Sequence, residues 1–215
     1  MKITGAIFDF DGVLIDSMYI WDNIGSYYLK TLGIEADDNL NDELMTLSLI
    51  EGAQHFQSHY NVNNSVEGII NDINKLIEHF YFEVLKLKSG VRHLLESFKN
   101  QGVKMCIATA TDRYLVEACL KRNYIFDYFG EIFTCTEVKA GKDSPQIYFK
   151  ALEFLGTDAS NTYIFEDALH AIKTAKRANL NVIAVYDKSS EISQNEIKSI
   201  ANIYLKSLDD WKEIL

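Results

Sequence analysis

Apolar residues recur along this chain in short blocks separated by amphipathic stretches. The blocks Ile3 to Asp9, Val103 to Thr109, Glu131 to Thr134, Tyr163 to Asp167 and Asn181 to Val185 predict five strands. Blocks this short and this apolar suit strands buried on both faces, and their alternation with helical segments predicts a doubly wound α/β fold with a parallel sheet. A weaker block, Asn202 to Leu205, extends one edge. Boundary signals mark the helices between them: Ser89 and Gly90 precede Val91 to Phe98, Asp112 precedes Leu115 to Leu120, and Ser207 precedes Leu208 to Leu215. In open sheets of this kind ligands bind beyond the carboxyl ends of the strands.

Between Ser17 and Lys88 the pattern is purely helical. Val66, Ile69, Ile70, Ile73, Leu76, Ile77, Phe80, Val84 and Leu85 keep a spacing of three and four, which predicts one long amphipathic helix. Tyr19 to Leu32 and Asn41 to His59 read as helices too. The stretch is too long for a crossover and too apolar for a loop. The expected organisation is therefore a core of residues 1–16 and 89–215 with a helical domain, 17–88, inserted after the first strand and roofing the sheet's carboxyl edge. The competing arrangement has these helices thickening one face of the sheet.

The first block ends in Asp9-Phe10-Asp11-Gly12, two carboxylates one residue apart followed by a glycine that lets the chain turn away. Residues i and i+2 of an extended segment share a side, so both acids can address one small volume. Like charges that close require a cation between them or a retained proton. By itself the motif also reads as a strand, an Asp-Gly turn and a helix capped by Ser17.

Composition narrows the classes. The 215 residues fit one domain with an insertion, and 47% hydrophobic with 24% charged residues is ordinary for a globular protein. A net charge of −10 argues against a nucleic-acid partner, and no apolar stretch reaches the length of a membrane span. A cytoplasmic protein, monomer or weak homodimer, is expected. Cys106, Cys119 and Cys135 are odd in number and lack metal-like or redox-like spacing, so they read as reduced, mostly core thiols.

Three further segments carry chemistry. Thr109-Ala110-Thr111-Asp112 places a hydroxyl and free backbone N–H groups at the end of the second strand, a setting suited to phosphate oxygens. Gly141-Lys142-Asp143-Ser144-Pro145 puts Lys142 in a loop just before a helix that Ser144 would cap, with Pro145 in its first turn. Tyr163-Ile164-Phe165 ends in Glu166-Asp167, a second acidic strand end, for which a favourable charge at a helix N-terminus is the plain alternative.

In that order, acid-x-acid, hydroxyl, lysine and acid pair, the chain resembles the haloacid dehalogenase superfamily, in its phosphatase and beta-phosphoglucomutase-like branch with an inserted helical cap. The resemblance covers essentially the whole chain, and Asp9 to Ser17 is its most specific motif. It implies a Rossmann-like core and a Mg²⁺-dependent phosphatase acting on a small phosphorylated metabolite. Asp9 would be the nucleophile that forms an aspartyl-phosphate, and Asp11 the general acid and base. Asp9, the Asp11 carbonyl and Asp167 would hold Mg²⁺, with Glu166 binding directly or through water. Thr109 and the amide of Ala110 would grip the phosphoryl group, and Lys142 would offset the charge of Asp9. Gly141-Lys142-Asp143-Ser144-Pro145 selects Lys142 over Lys139 by its register.

Departures from the family pattern are specific. Ala168 stands where many relatives carry a serine, and Asp143 and Gln146 replace a frequent proline and aspartate. Dehalogenating relatives lack an acid at the position of Asp11, which favours phosphoryl chemistry. Phosphosugar mutases usually carry a histidine near Trp21 and an arginine near Leu47, so hydrolysis is expected over the mutase alternative. Lys30 stands too early to be a phosphonatase's Schiff-base lysine. His170 reads as a helix-surface residue. The alternative from another class is a non-catalytic Mg²⁺ or phospho-ligand sensor, against which the helical insertion and Asp11 both argue.

Overall fold

The computed structural model describes residues 2–44, 47 and 49–213. The chain divides into two compact units, Met1–Met18 with Leu85–Leu215, and Tyr19–Val84. Strands β1 (Gly5–Phe8), β2 (Lys104–Thr109), β3 (Ile132–Thr134), β4 (Thr162–Glu166), β5 (Asn181–Val185) and β6 (Ile203–Leu205) form one parallel sheet in the order β3-β2-β1-β4-β5-β6. All six expected blocks form strands, the weak edge block included. The order reverses between β1 and β4, the switch point at which open α/β sheets bind ligands.

Helices α1 (Met18–Trp21), α2 (Ile24–Thr31), α3 (Leu40–Leu44), α4 (Leu49–His59) and α5 (Val66–His79) precede α6 (Val91–Asn100), α7 (Arg113–Arg122), α8 (Cys135–Val138), α9 (Gln146–Leu155), α10 (Leu169–Arg177) and α11 (Gln194–Ile200). Because side chains alternate along a strand, neighbouring residues of β1 and β4 feed opposite layers. Ile7 and Ile164 pack with Ile147 and Ala151 of α9, Ile172 and Ala175 of α10, and Ile197 of α11. On the other face Phe8 and Phe165 stack with ring centroids 4.5 Å apart, and Phe98 of α6 meets Trp211 edge-on at 5.3 Å. Cys106 and Cys119 are buried free thiols whose pKa values burial raises, that of Cys119 to about 11.

The smaller unit is helical, with Tyr28 of α2 packed against Phe56 of α4 at 5.2 Å and a buried stripe of Ile69, Ile73 and Ile77 along α5. Ser65 caps α5 by accepting from the Gly68 N–H at 3.0 Å.

Several boundaries differ from expectation, each for a local reason. The joints lie after Met18 and before Leu85, because the outgoing and returning segments pair with each other. The N–H of Asp16 donates to the Lys86 carbonyl, that of Lys88 to the Leu14 carbonyl, and Ile15 bridges Leu87 antiparallel. Tyr19 to Leu32 is interrupted at Asp22 and Asn23, where the Asn23 amide bonds back to the Tyr19 carbonyl at 2.7 Å and competes with the helical ladder. Of the expected helix Asn41 to His59, residues 41–44 lie in α3 and residues 49–59 form α4, while residues 45, 46 and 48 lie outside the described range. The long helix beginning at Val66 finishes as a π turn, Phe80–Val84. Leu208–Glu213 is 3-10 rather than α, and residues 214 and 215 lie outside the described range. Pro145, not Ser144, occupies the residue before α9, since the Phe149 N–H closes its first turn on the Pro145 carbonyl.

Candidate active site

The parallel register pairs Phe8 of β1 with Phe165 of β4, so the residues that follow them leave the sheet side by side. The Asp9 N–H donates to the Phe165 carbonyl at 2.9 Å, extending the ladder by one step. Asp9, Glu166 and Asp167 are buried there, each offering a carboxylate oxygen within 4.8 Å of the others. Lys142, carried by the loop before α9, enters this group of acids. Its ammonium lies 2.5 Å from Asp9 Oδ1 and 2.9 Å from Glu166 Oε2, and the residue is only 7% exposed. Lys139 is exposed instead, so the register argument selected the lysine that the fold buries.

Glu166 is the most heavily bonded of the three acids. Besides Lys142, its Oε2 accepts from the Tyr148 hydroxyl at 3.2 Å, and its Oε1 accepts from the N–H groups of Asp167 and Ala168 at 3.3 Å. Burial would raise its pKa, but the Lys142 charge and these donors outweigh burial and hold it below the usual range. Asp9 accepts from the Phe10 N–H at 2.7 Å and pairs with Lys142. Burial first, and then the charge of Glu166, push Asp9 and Asp167 well above their ordinary values despite Lys142 nearby. Lys142 itself is pulled down by burial but held up more strongly by Asp9 and Glu166, so it stays charged.

Asp11 stands apart from this group and is half-buried. Its Oδ1 accepts from the Ser17 hydroxyl and its Oδ2 from the Thr111 hydroxyl, both at 2.6 Å. Ser17, the residue before α1, thus serves Asp11. Thr109 is buried at the end of β2, where its Oγ1 accepts from the Thr111 N–H at 3.0 Å, and Ala110 between them is exposed. Gly12 takes φ +73°, and a Cβ there would collide with the Asp167 carboxylate, so the turn requires glycine both for its backbone and for its lack of a side chain. His170 is exposed on α10, as its helix-surface reading implied.

Sequence reasoning did not find Thr111, Ser17 or Tyr148 as parts of this constellation. Thr111 lies two residues from Thr109 and could have been drawn from the same i, i+2 logic that linked Asp9 to Asp11. Tyr148 sits six residues after Lys142 on a helix, with no local mark of its partner.

Three carboxyl groups and one ammonium share this dry volume, and the oxygens they offer are hard donors that a cation can claim in place of the protons burial retains. That set fits a divalent cation such as Mg²⁺. The family model of haloacid dehalogenase-like hydrolases matches residues 6–185, a span that contains every one of these groups. The chain belongs to the haloacid dehalogenase-like hydrolases. Its relatives in this family include a phosphorylated carbohydrates phosphatase of Thermotoga maritima, 28% identical over 83% of this chain and 82% of that protein. Hexitol phosphatase B of Escherichia coli O157:H7 is 27% identical over 97% of this chain and 94% of its own length. Glycerol-3-phosphatase 2 of Arabidopsis thaliana is 26% identical over 98% and 90%. A solved structure from Thermotoga maritima, under a provisional beta-phosphoglucomutase name, superposes with TM-score 0.83 at 26% identity and covers all of both chains. This haloacid dehalogenase-like hydrolase is thus an enzyme whose named relatives include phosphatases, and its sheet has the architecture that the motif order implied.

Proposed function

We propose that the protein is a Mg²⁺-dependent phosphatase of small phosphomonoesters that works through an aspartyl-phosphate on Asp9. The arrangement that carries this reading is the buried group of Asp9, Lys142, Glu166 and Asp167 at the switch point of the sheet.

Asp9 and Asp167, with the Asp11 backbone carbonyl, would hold the ion, and Glu166 would add its charge from a place fixed by Lys142, Tyr148 and two amides. When bound, Mg²⁺ supplies charge neutralisation that lets an anionic nucleophile approach an anionic phosphate. Asp9 Oδ attacks phosphorus as the bond from phosphorus to the leaving oxygen breaks, and Asp11 gives that oxygen its proton. Water then attacks phosphorus, Asp11 takes the water's proton, and inorganic phosphate leaves as the Asp9 carboxylate is restored. Ser17 and Thr111 suit this exchange because a hydroxyl can rotate to donate or to accept, which keeps Asp11 bonded in either protonation state. Thr109 and the Ala110 N–H would hold the transferring group's oxygens, and Lys142 stays protonated beside Asp9 throughout.

Sugar and polyol phosphates are the first substrates to screen, since the named relatives act on phosphorylated carbohydrates, hexitol phosphates and glycerol phosphate. The decisive assay is phosphate release from p-nitrophenyl phosphate with and without Mg²⁺, alongside Asp9→Asn. Turnover that needs both Mg²⁺ and Asp9 supports the reading. Equal inertness of both proteins favours a non-catalytic sensor, and transfer of the phosphoryl group to a second sugar hydroxyl without phosphate release favours a mutase.

A further inference from the structure

Lys88 belongs to none of the motifs that carry the proposed chemistry, yet it is the most fully used lysine near them. Its ammonium donates to the Gly12 carbonyl at 2.6 Å, to the Tyr186 carbonyl at 2.8 Å and to Asp187 Oδ2 at 2.8 Å. An ammonium has three hydrogens, so these three oxygens saturate it. The pair is largely dry, with side-chain exposures of 18% for Lys88 and 8% for Asp187. The anchor is itself fixed, because Asp187 Oδ1 accepts from both the N–H and the hydroxyl of Ser189, at 3.0 and 2.8 Å. Lys88 therefore ties the turn that follows β1 to the loop that follows β5, across the end of β4 where Asp167 lies.

What that tie restrains is a glycine. Gly12 sits at φ +73° in contact with Asp167, and glycine reaches the opposite sign of φ with little penalty, so its own backbone does not hold it there. A rotated peptide at Gly12 would displace the carbonyl of Asp11 on one side and crowd the Asp167 carboxylate on the other.

We infer that Lys88 is a positioning residue that locks the Gly12 turn in the conformation needed to bind Mg²⁺ between the first and fourth strands. This rests on the phosphatase reading above, and the test separates the two. Mg²⁺ binding is measured by isothermal titration calorimetry on the folded protein, and kcat and KM for p-nitrophenyl phosphate at saturating Mg²⁺, in wild type, Lys88→Met and Lys88→Met/Asp187→Asn. Removing Lys88 alone strands a buried acid and costs stability, whereas the double substitution removes the pair together and keeps an uncharged, folded counterpart. The expected result in every variant that folds is a Kd for Mg²⁺ raised at least fivefold and a kcat lowered at least fivefold, with KM changed less than twofold. A folded double variant with smaller changes in Kd and kcat overturns the inference. A wild-type protein that neither binds Mg²⁺ nor hydrolyses the ester overturns the phosphatase reading and this inference with it, whereas a Mg²⁺-dependent wild type beside an unaffected double variant overturns this inference alone.

Discussion

Asp9 and Asp11 leave the same strand two residues apart, and the fold gives them opposite surroundings. Asp9 is packed into a dry group of charges with Lys142, Glu166 and Asp167, whereas Asp11 is half-buried between two neutral hydroxyls, those of Ser17 and Thr111. One environment crowds three acids around a single ammonium and suits a cation; the other holds a carboxylate by two hydroxyl donors. The difference teaches why one residue type can fill two roles: a nucleophile needs its charge offset at fixed position, and a proton carrier needs partners that tolerate both of its states.

Substitutions at the two acids test that division most strongly. Asp9→Asn removes the attacking oxygen's charge and should lower kcat for p-nitrophenyl phosphate by about a thousandfold or more, since no later step proceeds without the covalent intermediate. Asp11→Asn should lower kcat by about a hundredfold, within the usual range for a lost general acid, while calorimetry shows Mg²⁺ affinity within about twofold of wild type. If Asp11→Asn instead loses Mg²⁺ binding while Asp9→Asn keeps it, the two roles are reversed.

The strand ends that carry these acids were legible because buried parallel strands are written as apolar blocks and their chemistry as the first polar residues after each block. Asp9, Thr109 and Glu166-Asp167 were found this way, and Lys142 by its register before the only proline. The partners that tune them were not. Thr111 is 100 residues from Asp11, Tyr148 is 18 from Glu166 and Lys88 is 99 from Asp187, so their pairings exist only after the sheet has assembled. The helical stretch shows the same limit in another form. Its apolar period announced helices, but the break at Asn23 depends on a side chain choosing the Tyr19 carbonyl over the solvent, which periodicity does not encode.

The acids around Lys142 should also make the protein respond to pH. Burial, followed by the charge of Glu166, raises both Asp9 and Asp167 well above the ordinary 3.8, so the folded metal-free protein retains protons that the unfolded chain has released. Where the folded state binds more protons, stability falls as pH rises, here from about 3.8 up to the raised values, and it levels off beyond them. An ion that takes the place of those protons binds more tightly at higher pH. The rise in Tm on adding Mg²⁺ should therefore be larger at about pH 8 than at about pH 5.5, by differential scanning fluorimetry. An equal or smaller rise at the higher pH would mean that the acids around Lys142 are already fully ionised without metal and retain no protons for an ion to replace.

The smallest expected effect belongs to Tyr148, whose hydroxyl bonds Glu166 within the charged group. Burial raises the pKa of its phenol, so it remains a neutral donor to Glu166 Oε2 beside Lys142. Tyr148→Phe keeps the ring packed in the layer with Ile147 and Ala151 and deletes that one hydrogen bond. Glu166 still accepts from Lys142 and from two amides, so the loss should cost about 1 kcal/mol in stability and only a few-fold in kcat. Because one donor fewer leaves Glu166 less firmly fixed, the change should fall on kcat and Mg²⁺ affinity rather than on KM. A Tyr148→Phe variant as impaired as Asp11→Asn would show that the phenol itself takes part in the chemistry, alongside the proton exchange proposed for Asp11.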